Sequence, residues 1–258
     1  MIKTSDIKEI LFEASLIIEK YFNMEIKINY KEDESPVTIA DFETNEFLKK
    51  HLLELMPEAG WLSEEEVDNA ERLKKEYVWV VDPLDGTKEF VEKIPDIAIS
   101  VGLVKNNIPI LGAVINPITK ECGINNFDGG IDFWNIEKKE ESLAIENAHM
   151  IVSRTEYKKG KIKPFESFYK NIRPVGSVAY KLLRIAAGAD HLYFSVEPKS
   201  EWDICGGISL INSVGKRYIR FDGEKNLFNQ KDVRILSGAV AGSEIFVNKF
   251  LEDTKKLI

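Results

Sequence analysis

The residues best suited to chemistry lie in one stretch, residues 77–90, YVWVVDPLDGTKEF. Tyr77 to Val81 is a short apolar run of β-branched and aromatic residues, the length of a buried strand. It stops at Asp82-Pro83, and Asp85-Gly86 gives a second turn signal. Two carboxylates are thus expected on a stiff turn just past a strand, with Pro83 fixing φ and Gly86 allowing close backbone approach. Crowded carboxylates repel unless a cation lies between them, and oxygen ligands favour a hard ion such as Mg²⁺. Thr87 and Lys88 follow where a helix can begin, and helix N-termini bind phosphate. Metal beside phosphate is the chemistry this spacing suggests.

The plain alternative is a turn, since Asp-Pro and Asp-Gly pairs are ordinary turn chemistry. Phosphotransferases that use D-x-D-G-T place their carboxylates at i and i+2. Here the spacing is i, i+3, so Asp82 reads as a ligand and not a nucleophile. Further acids lie elsewhere. Thr38 or Asp41 can cap a helix. Ser63-Glu64-Glu65-Glu66 reads as a solvated face, or as a helix first turn capped by Ser63. Asp203, in Glu201-Trp202-Asp203, reads as an N-cap that can also point into a cleft. His51, His149 and His191 have no zinc-type spacing, and Cys122 and Cys205 form no metal-type pair. There is neither a G-x-S-x-G element nor a P-loop.

Several elements must position these groups. Residues 4–22 have the three-and-four spacing of an amphipathic helix, with Thr4 or Ser5 as cap. Residues 31–37, KEDESPV, read as a mobile loop, and a second helix runs from the Thr38–Asp41 segment to about Leu55. Apolar runs at 97–104, 108–115, 119–124 and 131–136 read as successive antiparallel strands. After the charged segment 137–142 the rhythm changes. Strands near 149–153 and 192–196 alternate with helices near 165–171, 178–187, 204–214 and 244–257, as in a sheet with helices on its faces. The expected fold class is α+β followed by α/β. The expected subdomains are 1–138, carrying most metal ligands, and 139–258, supplying Asp203 and substrate contacts. The 258 residues carry a net charge of −8, which argues against binding a nucleic-acid polymer but not against a small phosphorylated substrate beside a bound metal. No signal peptide or membrane-length apolar run is found, so the expected location is the cytoplasm, away from membranes.

Together these pieces resemble the lithium-sensitive, magnesium-dependent phosphatases typified by inositol monophosphatase. The motif D-P-[IL]-D-G-T corresponds to Asp82–Thr87, and W-D-x-x-[AG]-G to Trp202–Gly207. T-x-A-D corresponds to Thr38–Asp41 and S-E-E to Ser63–Glu65. Within that superfamily the chain is most similar to the 3′(2′),5′-bisphosphate nucleotidase branch. Lys88-Glu89-Phe90 stands where inositol monophosphatases usually have T-N-F, and Gly176, Ser177 and Lys181 match G-S-x-x-x-K. Ser153-Arg154 is also similar. Cys205-Gly206-Gly207 replaces a more usual small-residue run, and residues 216–243 lack the branch's glycine-and-proline-rich close.

The resemblance implies a layered αβαβα sandwich, two or three Mg²⁺ ions, and hydrolysis without a covalent enzyme intermediate. Glu64, Asp82 and the Leu84 carbonyl would hold one ion; Asp82, Asp85 and Asp203 a second; Glu65 would touch a weaker third. Glu64 and Thr87 would orient the attacking water, with Asp41 accepting from the Thr87 hydroxyl. Gly86 and Thr87 amides would hold the phosphate. Lys88 and Lys181 would meet the rest of the substrate, with Ser153, Arg154 and Ser177 as nucleotide contacts and Asp203 beside them. The implied reaction is removal of the 3′-phosphate of 3′-phosphoadenosine 5′-phosphate; inositol monophosphate and fructose 1,6-bisphosphate are the alternatives on the same site. A non-catalytic metal- or nucleotide-binding module is a further alternative. A homodimer is the family expectation.

Overall fold

The computed structural model describes residues 2–31, 34–127, 129–137 and 147–258. Helix α1 (Thr4–Phe22) buries Ile7, Leu11, Ala14 and Ile18 along one stripe. Its N-cap position is Lys3, so Thr4 and Ser5 lie inside the helix rather than capping it. The two-residue strands β1 (Asn29–Tyr30) and β2 (Pro36–Val37) pair antiparallel across the segment expected to be a mobile loop, of which residues 32 and 33 lie outside the described residues. Helix α2 (Ile39–Leu55) starts with a reciprocal cap: Thr38 is the N-cap and Asp41 the third helical residue, each accepting from the other's backbone.

Six strands follow: β3 (Gly60–Ser63), β4 (Tyr77–Asp85), β5 (Ala98–Lys105), β6 (Ile108–Ile115), β7 (Cys122–Asn125) and β8 (Ile131–Trp134). They lie side by side in chain order, with the short helix α3 (Thr87–Val91) between β4 and β5. All neighbours are antiparallel except β3 and β4, which run parallel. The first sheet is thus largely antiparallel, as expected, with one parallel pair at its edge. A crossover carrying a 3₁₀ turn (Ala70–Lys74) returns the chain to the same direction. No helix opens at Ser63–Glu66, since that turn begins at Ala70 with Asn69 as its cap. In β4, Trp79 and Val81 face α1 and α2, while Val78 and Val80 face the opposite layer. Burial on both faces is why this strand is an unbroken apolar run rather than an alternating one.

The second half comprises β9 (Met150–Ser153), α4 (Arg154–Lys158), β10 (Ile172–Val175), α5 (Val178–Ala187), β11 (Leu192–Ser195), β12 (Lys199–Ser200), α6 (Glu201–Ser213), β13 (Arg217–Arg220), β14 (Arg234–Ile235), β15 (Ala239–Gly242) and α7 (Glu244–Thr254). Its main sheet has the order β10-β9-β11-β15-β13, parallel on the β10 side and antiparallel on the β13 side. The helix expected near 165–171 is not formed. A 3₁₀ turn (Lys163–Phe165) leads into further turns closed by i→i+3 bonds such as Phe168 N–H to the Phe165 carbonyl, 3.0 Å. Phe165 and Tyr169 nevertheless point inward together, stacking on Phe250 of α7.

The layers run α1 and α2, first sheet, α5 and α6, second sheet, α7, the αβαβα sandwich expected from the resemblance. Helix α6 packs on β4, β5 and β6 and against α5. That approach is close because the facing positions are small. A Cβ at Gly112 would lie 2.2 Å from the Gly206 carbonyl oxygen, and one at Gly207 would lie 2.5 Å from Leu182 Cβ. The Cys205-Gly206-Gly207 departure is thus what lets α6 sit against both its neighbours. The expected subdomain boundary, from residue 138 on, lies outside the described residues. Among the described residues no helix is long and apolar enough to cross a membrane.

Candidate active site

The central carboxylates come from a strand irregularity rather than from a turn beyond a strand. Strand β4 continues to Asp85, with Asp82 opposite Ser100 and Asp85 opposite Ala98. Two residues of β4, Pro83 and Leu84, thus stand opposite one of β5, Ile99, a bulge that includes Pro83, which has no N–H to lose from the ladder. The Leu84 N–H donates to Asp82 Oδ1 at 3.0 Å, fixing that side chain in the bulge. The parallel register pairs Ser63 with Val81, so Glu64, its N–H on the Val81 carbonyl, falls beside Asp82. Asp203 arrives from the first turn of α6. It is the third helical residue and not the cap: Ser200 caps, and the Ser200 N–H donates to Asp203 Oδ2 at 2.7 Å.

Glu64, Asp82 and Asp203 each bring a carboxylate oxygen within 4.8 Å of the others. Burial, then the charges of Glu64, Asp85 and Asp203, hold the Asp82 carboxyl well above its usual range. Burial, then Asp85 and Glu64, push Asp203 up to about 7. Asp85 is also raised by burial, although Ser177 Oγ and the Ala179 N–H both donate to its Oδ2 at 2.7 Å. Asp85 lies outside the tight group of three. Bare carboxylates this close cost about 4 kcal/mol per pair at 4 Å with the screening typical of a protein. All the donors are oxygens, the Leu84 carbonyl lies in the same bulge, and the acids are raised by one another. That set fits a hard divalent cation.

Beside it, the Thr87 hydroxyl donates to Asp41 Oδ1 at 3.0 Å and lies 3.2 Å from the Leu84 carbonyl oxygen. Asp41 Oδ2 accepts from the Thr38 N–H and hydroxyl at 2.8 and 2.7 Å. So Asp41, the third helical residue in the reciprocal cap of α2, is also the group that orients Thr87. Burial raises the Asp41 carboxyl despite these bonds. The acidic run divides. Glu65 points inward and burial raises it to about 7, while Glu66 turns away to Asn45, Lys49 and Trp61.

An inositol monophosphatase family model matches residues 4–253. The chain belongs to the inositol monophosphatase family. It is 29% identical over 219 residues to a 3′(2′),5′-bisphosphate nucleotidase CysQ of Buchnera aphidicola, covering 81% of each chain. It is also 29% identical over 216 residues to inositol monophosphatase 3 of Solanum lycopersicum, covering 79% of this chain and 80% of that one. The extragenic suppressor protein suhB of Bartonella henselae superposes with a TM-score of 0.83 at 21% identity over 98% of both chains. Membership makes the chain a phosphatase of a metal-dependent family, and the acid cluster is where this member can bind metal.

The residues expected at the substrate are placed differently from one another. Gly86 takes φ +97° at the mouth of α3, and a Cβ there would press on the Asp96 carbonyl at 3.2 Å. Lys88 is exposed on α3. Ser153 caps α4, accepting from the Glu156 N–H. Arg154 donates to Asp96, which also accepts from the Gly176 N–H. Ser177 caps α5 at φ +35° and spends its hydroxyl proton on Asp85. Lys181 is fully buried; its Nζ donates to the Val175 and Gly176 carbonyls at 3.0 and 2.7 Å, and burial lowers its pKa to about 8. In this structure Arg154, Ser177 and Lys181 hold the walls of the site. Sequence reasoning missed Lys31, whose Nζ donates to Glu64 and Glu65 at 2.7 Å each. Burial opposes its charge, but Glu64 and Glu65 outweigh that and hold the ammonium above its usual range. Its place in a polar loop gave no signal of this.

Proposed function

We propose that the chain is a Mg²⁺-dependent phosphomonoesterase that removes the 3′-phosphate of 3′-phosphoadenosine 5′-phosphate. The observation that carries the reaction class is the meeting of Glu64, Asp82 and Asp203 beside the Thr87–Asp41 hydrogen bond. Glu64, Asp82 and the Leu84 carbonyl would hold one Mg²⁺ and Asp82, Asp85 and Asp203 a second, which would supply the positive charge to acidify a water and neutralise phosphate oxygens. Glu64 and Thr87 orient that water in line with phosphorus. Thr87 Oγ1 takes the water's proton as its own passes to Asp41 Oδ1. The raised Asp41 carboxyl suits that acceptance. The P–O bond to the ester oxygen breaks, and that oxygen leaves with a proton from solvent. The Gly86 and Thr87 amides would hold the phosphate, and Glu65 would hold a weaker third ion. A homodimer is part of the proposal, checked by sedimentation.

Lys88-Glu89-Phe90 and the nucleotidase relatives support the nucleotide. A second reading, inositol monophosphate, is favoured by the burial of Lys181, whose ammonium would have to leave two carbonyls to meet another phosphate. The test is phosphate release from 3′-phosphoadenosine 5′-phosphate, inositol 1-phosphate and fructose 1,6-bisphosphate, with Mg²⁺, with and without lithium. Preference for the nucleotide and loss of activity in lithium are expected. Preference for inositol phosphate would retain the metal chemistry and transfer the assignment. No turnover of any of the three, with tight binding of product, would instead indicate a binding module.

A further inference from the structure

Glu64 and Asp203 come from opposite halves of the chain, and a buried hydrogen-bonded chain links the segments that carry them. It begins at Arg72, in the 3₁₀ turn after Glu64, whose side chain is almost wholly buried. Arg72 donates from Nε and Nη2 to the two oxygens of Asp68 at 2.6 and 2.8 Å. Its Nη1 donates to Asn229 Oδ1 at 2.7 Å, and Nη2 also donates to the Gln230 carbonyl at 2.9 Å. Asn229 returns a bond from Nδ2 to the Arg72 carbonyl at 3.2 Å. The Asn229 and Gln230 N–H groups then donate to the two oxygens of Glu201, at 2.6 and 2.8 Å. Glu201 is the first residue of α6 and is itself buried; its own N–H donates to the Val233 carbonyl at 2.9 Å. Two residues further on is Asp203.

We propose that Arg72, acting through Asn229 and Glu201, is a positioning residue that sets Asp203 against Glu64 and so fixes the affinity of the site for its divalent cation. This rests on the metal-dependent reading above. The body of α6 is seated on β5 and β6 by its glycines, but its first turn reaches past that contact toward the acids. There Glu64, Asp82 and Asp203 bring carboxylate oxygens within 4.8 Å of one another, and like charges that close repel. A rigid guanidinium fork is suited to resist that repulsion, because each of its bonds has a fixed direction. Segment 228–235 thereby acquires a role: it is the strap between the Glu64 loop and α6.

The test uses the whole chain and measures Mg²⁺ binding by calorimetry without substrate, beside the melting temperature of the metal-free protein. Arg72→Met and Asn229→Ala are expected to weaken Mg²⁺ binding by about 10- to 100-fold, the usual effect of removing a group that orients a metal ligand. Turnover should recover as Mg²⁺ is raised. Phe250→Leu, in the cluster under α7, is the control: it lowers the melting temperature and leaves the Mg²⁺ affinity unchanged. If Arg72→Met does not fold, Asn229→Ala decides, since it keeps the Asp68 and Gln230 bonds to Arg72. Variants that melt earlier but bind Mg²⁺ as the wild type does would reduce the strap to a structural bolt and overturn the proposal. A wild type that binds no divalent cation would instead overturn the metal-dependent reading, and this proposal with it.

Discussion

At the scale of single residues, several side chains of the site, Thr87, Asp41 and Asp85 among them, are placed between more than one partner. Thr87 is the clearest case, with a hydroxyl that answers to Asp41 and lies beside the Leu84 carbonyl. Thr87→Val keeps the shape and removes the proton path, so kcat should fall about 10²- to 10⁴-fold, the range of a general acid–base contribution. Thr87→Ser should retain most of the rate; equal loss in both would remove the hydroxyl from the mechanism. Asp85→Asn should abolish turnover with the fold retained, as circular dichroism would show. Asp203 carries a pH signature. Its carboxyl is raised from 3.8 in the unfolded chain to about 7 in the fold. A raised acid favours the fold while protonated, so its contribution is complete below the unfolded value and is lost as pH rises through about 7. Metal-free protein should therefore lose stability across that window, and Mg²⁺, which binds the ionised form, should restore it at the upper end. A flat melting profile in metal-free buffer would contradict the raised carboxyl.

At the scale of elements, the ligands are set by how strands and helices begin and end. The β4 bulge points Asp82 into the site, and the capping boxes of α2 and α6 orient Asp41 and Asp203. One residue type thus serves a helix end and the chemistry together, which is why the capping and the functional readings of Asp41 did not compete. The Asp203 reading needed a shift of position, from cap to third residue. The approach of α6 to the first sheet depends on Gly112 and Gly206. Gly112→Ala puts a methyl 2.2 Å from the Gly206 carbonyl, so helix or strand must move. A loss of about 1–3 kcal/mol in chemical denaturation is expected. Stability equal to wild type would mean that the helix yields without cost.

At the scale of the whole molecule, the site lies where the two halves meet, with Glu64 and Asp82 from one and Asp203 from the other. Bound metal joins them, so Mg²⁺ at a hundredfold above its dissociation constant should stabilise the fold by about 2.7 kcal/mol. An unchanged melting temperature at saturating Mg²⁺ would argue against a shared ion. The sequence by itself determined the family, and it pointed to acids that the fold brings together. Strand alternation, helix periodicity and the motifs around Asp41, Glu64, Asp82 and Asp203 depend on neighbours a few positions away, and such local geometry is written in local order. The tertiary structure alone decided which way the side chains turn. Lys31 meets Glu64 and Glu65, Lys181 turns to backbone carbonyls, and Arg72 reaches Asn229 across 157 positions. The physical reason is that a long cationic side chain goes where unpaired oxygens are left, and those oxygens are defined only when distant segments have packed.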